Sequence, residues 1–322
     1  MPTTINNEGM IPTYLGKKPT QRVVISSVGD FPAVIDSTVQ YFIDGNINMG
    51  TRSLEIPAGG INMAGLGLEM SFLTSTEDNY TLFTSPVGGS GNVLFTNMAL
   101  TVSGTNSKVY DIKDSNGFHA IELNIVNYTD CTSLGTIDQY RQGLESGTGR
   151  FGGSPSLTLK GNWVGGFRIT TSITRSLSAG MTEPLFKAGT GFVMASRFLT
   201  DMNVDLPASA SFADFSPANF TNPSTLQVHG MLLTRGFVSN PHDTNYFPNI
   251  SETDLESDWS GNIGLHNTFV GGHATVSTEV TTTISSAGAF YPVLGTVTAQ
   301  HLQHFSHPVN GQITQLGKNH PD

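Results

Sequence analysis

The chain has 322 residues (34.3 kDa), only 12% of them charged, with 15 basic against 25 acidic side chains and a formal net charge of −10. Phosphate recognition needs clustered Lys and Arg, so this balance excludes nucleic acid as a main partner. No apolar stretch reaches the ~18 residues of a membrane-spanning helix, the opening MPTTINNEGM lacks a basic-then-apolar secretion pattern, and the single Cys131 excludes intrachain disulfides and Cys-based zinc sites.

Along the chain, short runs of alternating apolar residues are bounded by Gly, Asn, Ser or Pro, which is the signature of strands and turns. Val23–Ile25, Val39–Ile43 and Tyr80–Phe83 open the series, and Leu94–Val102 follows. In Ala120–Asn127 the pattern predicts Ile121, Leu123 and Ile125 on one face with Glu122 and Asn124 on the other. The best helical window is Gly135–Leu144, where Ile137, Tyr140 and Leu144 could share a side, and it is short. Leu157–Leu159 and Phe167–Ile169 form a strand pair broken at Gly161 and Gly165–Gly166; Phe192–Phe198 and Leu226–Leu232 follow. The chain is therefore expected to be all-β.

The runs starting near Ala120, Leu157, Phe192 and Leu226 recur at about 34–37 residues, a spacing that points to repeats. Three short strands per repeat give the coil of a parallel β-helix, with Gly, Asn, Asp and Thr at its corners. Antiparallel β-sandwich domains are the alternative, because they also carry short strands and frequent turns. Composition shifts after Pro207 and again after Phe237. This divides the chain into residues 1–20 as an extended arm, 21–238 as β-helix, 239–258 as linker and 259–322 as a small antiparallel, sandwich-like domain with Ala274–Ile284 as a long strand. That last domain is small for a β fold standing alone, so neighbouring chains are expected to cover its edges.

The segments VLFTNMALTVSG and NSKVYDIKDSNGFHAIELNIVNYTDCTSLGTI resemble coils of the pectate-lyase-like right-handed β-helix of bacteriophage tail spikes and tail fibres. The tail, GNIGLHNTFVGG and FYPVLGTVTAQHLQHFSHPVNGQITQLG, is similar to the β-sandwich head that often follows such a shaft. The resemblance implies a homotrimeric virion protein assembled in the host cytoplasm. Its N-terminus would attach to other virion proteins, tail or portal-proximal, and its shaft or tip would meet host surface polysaccharide. Residues 1–20 replace the larger adaptor usual in such proteins and would dock onto another virion component.

No nucleophile elbow, P-loop, zincin or dinucleotide motif is present, so no cofactor is expected. A glycan-cleaving spike would carry paired carboxylates about 5–9.5 Å apart. The acids to examine are Glu69, Asp111, Asp114, Glu122 and Asp205, expected to face outward, and no catalytic pair is assigned. His301, His304 and His307 alternate faces on a strand and cannot converge on a metal within one chain, so no metal site is assigned. Sugar binding points instead to aromatic platforms, with Trp163, Tyr110, Tyr128 and Trp259 as candidates. Three readings remain: an adhesive fibre, a depolymerase on the same fold, and a capsid decoration or head-fibre protein.

Overall fold

The computed structural model describes residues 19–146, 149–207, 209–220, 225–235, 248–249, 263–272, 282–284 and 295–297. The N-terminal part of the expected arm, nearly all of the expected linker and most of the expected terminal domain lie outside the described residues.

The strands are laid down coil by coil. They begin with β1 (Gln21–Ile25), β2 (Val39–Ile43), β3 (Gly45–Asn48), β4 (Leu54–Glu55), β5 (Ile61–Gly65), β6 (Ser71–Ser75) and β7 (Thr81–Thr84). Next come β8 (Val93–Val102), β9 (Lys108–Lys113), β10 (Ala120–Cys131), β11 (Gly135–Asp138), β12 (Gln142–Ser146), β13 (Arg150–Gly153), β14 (Leu157–Lys160) and β15 (Asn162–Trp163). The series closes with β16 (Gly166–Leu177), β17 (Phe186–Ala188), β18 (Val193–Met194), β19 (Arg197–Pro207), β20 (Ala213–Asp214), β21 (Thr225–Arg235), β22 (Ile263–Gly272), β23 (Thr282–Ile284) and β24 (Gly295–Val297). A long sheet runs β1-β2-β5-β8-β10-β12-β16-β19-β21-β22, and a second runs β20-β17-β14-β11-β9-β7-β4. Every ladder in both is parallel, so the fold is a parallel β-helix, consistent with the right-handed winding that parallel crossovers favour.

Coil length differs from the expected repeat. Most stacked residues lie 22 to 32 positions apart, as in Asn124 under Ser146, Asn92 beside Ala120, and Thr174 beside Asp205, and only the last winding, Leu226 beside Ile263, reaches 37. The four runs that suggested a longer period sit on different faces: Ala120 and Leu226 in the long sheet, Leu157 in the second, and Phe192 beside β18. The helical window Gly135–Leu144 is occupied by β11 and the start of β12, joined through Gln139 at φ 60°. At the far end β22 pairs in parallel with β21, which carries the stack past the expected boundary at residue 238. The single antiparallel ladder among the described residues is β23 with β24.

Alternation explains most of the interior, with one slip. Ile121 and Leu123 are buried, but Ile125 takes φ 57° and shifts the phase, so Val126 and Tyr128 become the inward residues. Asn97 occupies the matching place one coil earlier at φ 54° and redirects β8 in the same way. Positive φ suits Asn; a β-branched Ile there is strained.

Inside, rings stack through successive coils. Phe83 lies on Tyr110 at 5.7 Å, Tyr128 on Phe151 at 5.2 Å, Phe186 against Phe198 at 5.3 Å, and Phe198 against Phe215 at 5.0 Å. These separations fall in the favourable range for offset and edge contacts. Cys131 is a buried small hydrophobe, and burial pushes its thiol up to about 12.

Residues 26–38 fold over the first coil and tuck Phe31 and Ile35 into its open end. The Arg52 guanidinium holds this cap by donating to the carbonyls of Val28 (3.0 Å), Phe31 (3.0 Å) and Pro32 (2.6 Å), and it also lies over the Phe31 ring. Arg52→Ala is expected to cost about 2 kcal/mol. Hydrogen exchange across residues 26–38 checks this: protection should be lost there first and retained in β8 and β10.

Candidate functional site

The aromatic candidates do not reach the surface. Tyr110, Tyr128 and Trp163 are 1%, 2% and 0% exposed. The Tyr110 and Tyr128 hydroxyls pair at 3.2 Å, and Trp163 Nε1 donates to the Lys160 carbonyl at 2.8 Å while its ring meets Phe167 and Tyr140. Asn162 and the Gly165–Gly166 pair near Trp163 are residues that suit an exposed corner. Instead it is the inward half of β15, whose pairing with β18 fixes which residue points in. Within this chain none of the three offers a face to a sugar. Trp259, His301, His304 and His307 lie outside the described residues.

The acids are also dispersed. Glu69 pairs with Arg150 at 3.5 Å, and Asp111 with Lys108 at 2.7 Å. Glu122 stands between Leu94 and Leu144 on the outer face, and partial burial raises its pKa. Asp205 sits in β19 opposite Leu233. Asp114 departs from the outward expectation: it is buried beneath its own turn. Its carboxylate accepts the backbone N–H groups of Asn116 (3.0 Å), Phe118 (2.8 Å) and His119 (2.7 Å). Burial opposes its ionisation, but the His119 and Asn116 donors outweigh it and hold the carboxyl below its ordinary value. The registers set no two of these five acids side by side on neighbouring strands. No cluster of three or more His, Cys, Asp or Glu that could hold a metal occurs among the described residues.

That Asp114 turn builds the most distinctive surface feature. It presents Phe118 at 69% exposure, the one aromatic ring among the exposed large hydrophobic residues described. The corner is stacked on its neighbours, because Arg141 N–H donates to the His119 carbonyl at 2.8 Å and Gly165 N–H to the Arg141 carbonyl at 2.6 Å. The His119 imidazole stands 3.2 Å from Asp114 and stiffens the same loop. Tyr140 turns inward on the intervening coil, with its hydroxyl 2.5 Å from Ser90 Oγ, while Val164 is exposed on the coil beyond. The result is a flat apolar ring on a rigid loop with polar groups around it, suited to stacking on the apolar face of a pyranose. DSNGFH in the sequence signals a turn followed by an aromatic residue, and that local signal is what marks Phe118 as a surface ring.

No protein-family model, curated protein or solved structure matches the chain.

Proposed function

We propose that the protein is a structural and adhesive component of a bacteriophage particle, a trimeric tail fibre or spike of the pectate-lyase-like right-handed type that binds host surface polysaccharide. The observation that carries this reading is the unbroken stack of parallel coils filled by an aromatic column, a build that resists bending and holds its outer loops at fixed spacing. The exterior supports it. On the second sheet Lys113, Asp138 and Lys160 alternate in sign across neighbouring strands, so this row presents mixed rather than single-sign charge. Residues 1–20 serve as the virion attachment, and the Phe118 corner serves as the glycan contact. Three copies would raise weak single-site affinity through avidity.

Binding of the native protein to host surface polysaccharide tests the reading. Phe118→Ala is expected to weaken binding about tenfold, the loss of roughly 1.4 kcal/mol of stacking, with the thermal midpoint unchanged. Undiminished binding by that variant removes the corner from the site. Release of reducing ends would establish the depolymerase alternative, and imaging that places the polypeptide on the capsid would replace the tail assignment with the head-fibre one.

A further inference from the structure

One rung of the core ladder carries the wrong chemistry for its place. By strand register, the inward positions of the long sheet run Met63, Phe95, Leu123, Glu145, Ile169. Glu145 is 2% exposed, and its Oε1 has no hydrogen-bond partner among the described residues. The carboxylate lies against Gly149, where an added Cβ would collide with it, and the same spot is close to Ser172 Oγ. Tyr110 from β9 and Tyr128 from β10 face it, with Cys131 of β10 against the two tyrosines, and each of the three can only add negative charge. The buried polar and charged side chains among the described residues include no Lys, Arg or His. An ionised carboxylate in this setting has no solvent and, among the described residues, no buried counter-charge, and such burial is strongly unfavourable.

We propose that Glu145 is built into the fold as a neutral carboxylic acid and acts as a proton-held joint, closed while the proton is bound and pushed out of the core with β12 when it leaves. Burial pushes its pKa well above the ordinary value, in agreement with that geometry. In the unfolded chain Glu145 titrates in the usual carboxylate range, so above that range the folded state holds one more proton than the unfolded state. Stability from this group is fully present below the unfolded pKa, declines as pH rises, and is lost once pH passes the folded pKa. Burial raises Tyr110, Tyr128 and Cys131 as well, and their loss of stability has the same sign. It begins only above the ordinary thiol and phenol values, at or beyond about pH 9, and Glu145→Gln leaves it in place.

The test compares the full chain with Glu145→Gln in urea unfolding from about pH 5 to about pH 9. The wild-type folding constant should fall relative to the variant as pH rises, by up to roughly tenfold per pH unit until the folded pKa is passed, leaving the amide the more stable form at the alkaline end. Parallel pH curves overturn the proposal. Should the variant fail to fold, infrared spectroscopy of the wild type decides alone. A protonated carboxyl band at neutral pH that disappears as the coil loosens at alkaline pH supports the joint, and its absence at neutral pH overturns it.

Discussion

Replacing Phe198 with Ala is expected to destabilise the protein by about 4 kcal/mol, the loss typical of a large buried ring that leaves a cavity. Phe198 is fully buried and is the junction of the aromatic column, stacked on Phe167 at 5.7 Å and in contact with Phe186 at 5.3 Å and Phe215 at 5.0 Å. Those partners come from β16, β17 and the segment after β20, so the cavity opens between coils and loosens the nearest-neighbour contacts that hold such a stack together. Chemical unfolding measures this directly. A loss below ~1 kcal/mol would mean that the rings are not packed as described, and Phe118→Ala serves as the exposed-ring control.

Gly135→Ala should be nearly as damaging, about 3 kcal/mol or more. Gly135 sits at φ 84°, and a Cβ there would run into the Tyr110 carbonyl oxygen of the preceding coil. That oxygen is backbone in the β9–β11 ladder and cannot swing aside without breaking the register of the second sheet. Gly88→Ala is the matched control, since nothing lies within 4 Å of its added Cβ; its effect should stay within ~0.5 kcal/mol. Equal melting of the two variants would contradict the packing assigned to this corner.

The coil architecture was legible in the sequence because alternation is a local property. Ile121, Leu123, Leu157 and Leu159 are buried as their pattern requires. The interval between coils was not legible, since runs on different faces of one coil look alike in a linear string. The phase slip at Ile125 was hidden too: nothing in AIELNIVN marks a β-branched residue for positive φ, and only stacking on Asn97 reveals it. For the site, the sequence identified suitable residue types but not their direction. Trp163, Tyr110 and Tyr128 are large and amphipathic enough to serve either the interior or a ligand, and register decided for the interior. Glu145 escaped notice because Gly143, its inward companion on β12, gives no apolar signal against which an acid would stand out.

The parallel ladders of the stack carry a consequence for biogenesis. Most join segments one winding apart, so few pairings wait for distant sequence to arrive. The polypeptide can therefore wind up behind the ribosome, with each completed rim serving as the template for the strand that emerges next. It follows that whole windings are the natural unit of gain and loss in such a rod, whereas a one-residue indel inside a strand would throw the rest of that strand's side chains onto the opposite surface.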